Sequence, residues 1–207
     1  MMVILGVSTS ACGEEPPDHY EAGQICEGLF SGPLEKTIES VLGAKSFDSN
    51  GKGGMQRAVD GLKKAYESGH NWAPGGTLCE ISPQGIGTKS DSRIYFDMYM
   101  PRDLEDKYSS KKRYYLMGKR AAASPLGASI YYECVSPQFE GSKERPMRIY
   151  GSFVRAQASR ENRPDYVDEN MQIAHAASLA VAKKLQCENN GGLPEKPVLT
   201  PFVPPKS

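Results

Sequence analysis

The sequence predicts an α+β fold: an antiparallel sheet of about five strands with helices before and after it, stapled by two disulfides. Three observations lead there. Two stretches of helical periodicity give way, from Gly75 on, to alternating apolar and polar residues. One strong helical stretch follows the alternation, and four cysteines are spread along the same region. At 207 residues the chain suits one domain with a hydrophobic core of its own.

The first helix is expected over Pro33 to Leu42. Pro33 lies in its first turn, Ser31 is the expected cap, and Leu34, Ile38, Val41 and Leu42 share a face before Gly43. A second is expected from about Met55 to Ser68, with Met55, Val59, Leu62 and Tyr66 at helical spacing and Gly69 beyond. Strands follow over Thr77 to Ser82, Arg93 to Met100, Arg113 to Arg120, Ala128 to Val135 and Met147 to Gln157. In the second, Ile94, Phe96, Met98 and Met100 fall on one side and Arg93, Tyr95, Asp97 and Tyr99 on the other, as a half-buried strand requires. An Ala-Ser-Pro-Leu-Gly turn should make the third and fourth a hairpin. The last helix starts near Asp168 and carries Ile173, Ala176, Ala177, Ala180, Val181 and Leu185, with Asp165 or Asp168 expected to take its free amides.

An internal echo runs through the strands. Ile81-Ser82-Pro83-Gln84 followed by Arg93-Ile94-Tyr95 returns as Val135-Ser136-Pro137-Gln138 followed by Arg148-Ile149-Tyr150. Cys79 and Cys134 do not keep this register, so they should face opposite ways unless a bulge intervenes.

The 25 basic residues balance 25 acidic ones, so no charge excess serves nucleic acid, which is not an expected partner. The opening is a brief apolar run that turns to small residues and stops at Cys12, the shape of a signal-peptide end over residues 1–11. Residues 12–25 are polar, acidic and broken by Pro16-Pro17, and are expected to form a flexible tether. The domain is expected over 26–192, and residues 193–207, rich in proline, as an extended tail. With Cys12 set apart, Cys26, Cys79, Cys134 and Cys187 make an even set. They allow three pairings, of which Cys26–Cys79 and Cys134–Cys187 are favoured because each closes a loop of similar span.

Thr9-Ser10-Ala11-Cys12 resembles the lipobox of bacterial lipoproteins, whose cysteine is diacylated and becomes the new N-terminus. Thr9 stands where that motif usually has an aliphatic residue, and no Lys or Arg precedes Cys12. More widely the chain resembles small actinomycete lipoproteins of unknown function. The resemblance is carried by Thr9 to Cys12, by Ile25-Cys26-Glu27-Gly28-Leu29-Phe30 leading to a helix that ends at Leu42-Gly43, by Leu78-Cys79-Glu80, and by the closing helix with Cys187. It implies an anchor at Cys12, a place on the extracytoplasmic face of the cell membrane, and no catalytic residues.

Catalytic motifs give little. His19, His70 and His175 have no metal-pair spacing, and no cofactor is expected. Ser109-Ser110-Lys111-Lys112 matches an SxxK pattern without its companion motifs, and the loop opening at Asp48-Ser49-Asn50 lacks the closing glutamate of a calcium site. The candidate ligand contacts are His70 and Trp72, the only tryptophan, with Tyr95 and Tyr131 from a tyrosine-rich set that includes Tyr99, Tyr114, Tyr115 and Tyr132, interleaved with Arg93, Arg113 and Arg148. The expected function is a non-enzymatic envelope binding or accessory domain, with a protein or cell-wall component as partner. The alternatives are a secreted enzyme pairing His70 with Glu80 or Glu133, and a structural or inhibitory protein acting through a sheet edge or the tail.

Overall fold

The computed structural model describes residues 19–48, 51–85, 92–105, 108–156 and 165–203. Its first helix, α1 (Pro33–Leu42), buries Ile38, Val41 and Leu42 and ends at Gly43, whose φ of 69° is left-handed. Its cap is not Ser31. The chain enters through Gly32, whose N–H donates to the Glu35 carboxylate at 2.8 Å, so the side chain three residues into the helix does the capping.

After the short strands β1 (Tyr20–Glu21) and β2 (Ser46–Phe47), which pair with each other, comes α2 (Gly54–Glu67). It presses closely on the strand that follows, β3 (Ala73–Ile81). A Cβ on Gly61 would lie 1.6 Å from the Gly75 carbonyl oxygen, so only glycine permits this approach. The remaining strands are β4 (Ser92–Met98), β5 (Arg113–Tyr115), β6 (Arg120–Ser124), β7 (Gly127–Cys134) and β8 (Met147–Val154). The last helix, α3 (Val167–Lys184), and β9 (Pro201–Phe202) close the chain.

Seven strands, all antiparallel, form the main sheet in the order β3-β4-β8-β7-β6-β5-β9, two more than the sequence predicts. One extra strand arises because residues 113–120 are not continuous. The chain bends between Tyr115 and Arg120, and Tyr115 and Met117, both buried, imitate a single alternation across the bend. The Ala-Ser-Pro-Leu-Gly turn does join a hairpin, made by β6 and β7. The other extra strand is the tail itself, which lies beside β5 and places Leu193 in the core. The tether differs too: Ala22 and Ile25 are buried, so the chain is held by the domain from Tyr20 onward. Residues 12–18 lie outside the described residues.

Both long helices pack on one face. Tyr132 of β7 donates its hydroxyl hydrogen to the Ser178 carbonyl of α3, and Leu62 of α2 lies against Gly75. The core therefore holds alternate strand residues: Ile94, Phe96 and Met98; Met147, Ile149 and Phe153; Ile130, Tyr132 and Cys134. Met100 leaves this alternation and opens a single helical turn at Pro101–Leu104.

The disulfides are Cys26–Cys79 and Cys134–Cys187, each spanning 53 residues. One fastens the turn Ile25–Gly28 to β3; the other fastens the end of α3 to β7. Cys79 and Cys134 both face the core, the outcome that the echo allows where a bulge intervenes. β3 carries an irregularity between Thr77 and Cys79. It pairs Cys79 with Ile94, whereas the corresponding Ile149 pairs with Tyr132, so Cys79 matches Tyr132 in position and not Cys134.

Candidate functional site

Alternation puts every second residue of β4, β8, β7 and β6 on the face that the helices leave open. Rows of side chains then cross the strands. Asp97, Tyr150, Tyr131 and Arg120 form one, Tyr95, Ser152, Ser129 and Ala122 the next, and Arg148 with Glu133 stands beyond Tyr131. The tyrosine rings touch in sequence: Tyr95 to Tyr150 at 6.1 Å between centroids, Tyr150 to Tyr131 at 4.8 Å, and Tyr131 to Tyr99 at 5.1 Å, edge to face. Arg93 stacks on the Tyr95 ring at 4.9 Å, and Lys119 pairs with Glu133 at 2.8 Å.

Electrostatics mark this face. Burial pushes the Tyr150 and Tyr99 hydroxyls well above the usual phenol range, and for Tyr99 the nearby Glu133 carboxylate adds to it. The Tyr99 Oη is buried with no hydrogen-bond partner among the described residues. Burial also raises Asp97, although the Gly75 N–H donates to it at 3.2 Å and Arg93 opposes the shift.

Beside the tyrosines the face sinks into a trough of about 230 Å³. Its floor is Ala122, Ser129 and Ser152, and Tyr150, Val154 and Lys112 rise around it. Past Lys112 and Ala123, which line both hollows, lies a larger cleft of about 800 Å³ bordered by Ser109, Ser110, Lys111, Arg113 and Asp165. On the helical side, a third hollow of about 470 Å³ lies between α1, α3 and the tail, lined by Leu34, Ala176, Leu179 and Pro197.

Of the predicted contacts, Tyr95 and Tyr131 share the open face and are joined through Tyr150. Trp72, 53% exposed, precedes β3, where Ala73 pairs with Met98, and its neighbour Asn71 accepts a hydrogen bond from Arg148 at 3.3 Å. His70 is exposed in the same loop. The tyrosine set does not stay together. Tyr132 and Tyr115 point to the helical side, and Arg113 goes with them to pair with Asp168, because neighbours along a strand face opposite ways.

Ser109 accepts a hydrogen bond from the Lys111 N–H, an arrangement of a polar turn, and Ser49 and Asn50 of the Asp48 loop lie outside the described residues. His70 and Glu80 stand at opposite ends of β3, about 20 Å apart by strand rise, which removes that acid–base pair. Among the described residues no histidine forms an ion pair with a carboxylate. Cys12 lies outside the described residues.

Sequence reasoning missed Tyr150, Lys112 and the serine floor. The available signal was a loss of bulk at neighbouring open-face positions, in Ala121-Ala122-Ala123-Ser124, Ala128-Ser129 and Gly151-Ser152. The fold and the open face together define a two-layer α+β protein with an aromatic, charged sheet surface. Compared with family models, curated proteins and solved structures, the chain matches none.

Proposed function

We propose that this protein is a non-enzymatic binding or accessory lipoprotein of the cell envelope. It is anchored by lipid at Cys12 on the extracytoplasmic face, and its open sheet face grips a protein or cell-wall component. The observation that carries the binding role is the chain of touching rings from Tyr95 to Tyr99 on the sheet face opposite α2 and α3, flanked by Arg93, Arg148 and Glu133. The pairing of Cys26, Cys79, Cys134 and Cys187 supports an oxidising compartment and leaves Cys12 as the odd cysteine.

Intact mass of the protein extracted from its native membrane tests the anchor. A diacylglyceryl adduct at Cys12, with a gain of two hydrogens per bridge on reduction, is the expected result; an unmodified chain with free thiols overturns the reading. Retention of the protein by purified cell envelope tests the face: Tyr95→Ala should lower retention several-fold, and unchanged retention removes the tyrosines from the binding surface.

A further inference from the structure

From the trough and cleft beside the tyrosines we infer a binding site for an anionic glycan, a chain of hydroxylated rings bearing carboxylate or phosphate. This inference rests on the envelope-binding reading and names its ligand. The trough has a volume of about 230 Å³, enough for one sugar ring. Its floor of Ala122, Ser129 and Ser152 lets a ring lie close to the sheet. The hydroxyls of Ser129 and Tyr150 border that space with groups that both donate and accept hydrogen bonds, and the Ser152 hydroxyl, which donates to the Ala128 carbonyl at 3.5 Å, keeps its acceptor sites, which suits a polyol.

The sign of the charge comes from the other end. Lys112 stands at the passage into the cleft of about 800 Å³ and Lys111 lines that cleft. Neither forms an ion pair among the described residues. Arg113 is matched by Asp168, so among the described residues Asp165 is the remaining carboxylate on the lining against two lysines. The two hollows adjoin at Lys112 and Ala123, and the proposed ligand path runs from the trough past Lys112 toward the cleft. A ligand lying along it places hydroxyls over the serines and its negative group beside the lysines. Exposed lysines act through screened attraction, so binding should weaken with salt.

Calorimetry on the full chain with tetragalacturonate, a phosphorylated mannotetraose and neutral maltotetraose tests this. At least one acidic probe should bind ten-fold or more tightly than maltotetraose, the tighter one identifying carboxylate or phosphate as the preferred anion. Lys112→Glu, an exposed change without a packing cost, should weaken that probe at least ten-fold, and Ser129→Tyr, which fills the trough, should abolish it. Equal binding of maltotetraose, no binding of either acidic probe, or indifference to Lys112→Glu overturns the inference. If envelope retention still depends on Tyr95 in that case, the tyrosine face stands and only the glycan assignment falls; if it does not, both fall.

Discussion

Phe96 and Gly151 face each other across β4 and β8 at the centre of a local twofold arrangement. Ile94 lies opposite Phe153 and Ile149 opposite Met98, so exchanging the strands carries Arg93-Ile94-Tyr95 onto Arg148-Ile149-Tyr150. The Phe96 ring fills the space above Gly151, with α3 behind it. A Cβ on Gly151 would come within 2.7 Å of the ring and 2.6 Å of the Ser178 Oγ. Gly151→Ala should therefore cost about 1–3 kcal/mol by overpacking, read from the urea midpoint. Adding Ser178→Ala, which removes one of the two obstructing atoms, should recover part of the loss, so the two changes are non-additive. Full additivity would mean that α3 does not rest on Gly151.

The two bridges close loops of equal span, each 53 residues, and in the loop-entropy account each stabilises the fold by about 4 kcal/mol. Replacing Cys134 and Cys187 together by alanine should lower the urea midpoint accordingly and free the end of α3. Amide exchange should then speed up first over Leu185 to Leu193, the segment that this bridge holds against β7. Uniform acceleration across the sheet would show that the bridge acts on the whole domain.

Asp168 links α3 to β5. It accepts a hydrogen bond from Arg113 at 2.8 Å and one from Tyr115 at 2.5 Å. Partial burial raises its carboxyl pKa, but the hydrogen bonds from Tyr115 and Arg113 outweigh this and hold it below the ordinary range. A carboxylate depressed in the folded state contributes stability above its unfolded pKa, about 3.9, and that contribution is lost as pH falls through the lower folded value. Stability should thus drop below about pH 4 by more in the native protein than in Asp168→Asn. At pH 7 the substitution should cost about 1 kcal/mol, since Asp168 is partly exposed. Parallel acid curves for the two proteins would remove Asp168 from the acid transition.

Much of this architecture is legible in the sequence, and what is not has physical causes. α1 is legible because Pro33 and Gly43 bracket one apolar face, and the bridges because two equal loops divide the cysteines. The role of Asp168 is not, since an acidic residue in a first helical turn fits a capping role equally well until a distant arginine and tyrosine claim it. β9 is hidden by Pro201 and by having only two paired residues. The trough is hidden because it is a property of three neighbouring strands; Ala122, Ser129 and Ser152 become one surface only through the pairing of β6, β7 and β8.

His175 gives the tail a dependence on pH. It is buried within α3, and its Nε2–H donates to the Pro194 carbonyl at 2.9 Å, holding the start of the tail against the helix. Burial lowers its pKa below the ordinary value, outweighing the opposing effects of the Pro194 carbonyl and the nearby Glu195 carboxylate; Lys183, from the same helix, pairs with Glu195 at 2.5 Å. A base depressed in the folded state is neutral there while the unfolded chain takes up a proton. Stability is therefore full above the unfolded pKa, about 6.5, and is lost as pH falls from there toward the folded value. Between pH 7 and pH 5 the native protein should lose stability that His175→Gln, which cannot titrate and keeps an N–H for Pro194, does not lose. Amide exchange at Leu193 and Leu199 should accelerate over the same interval in the native protein alone, because the carbonyl that His175 grips lies between the core and the tail. An equal pH response in the variant would place the titrating group elsewhere.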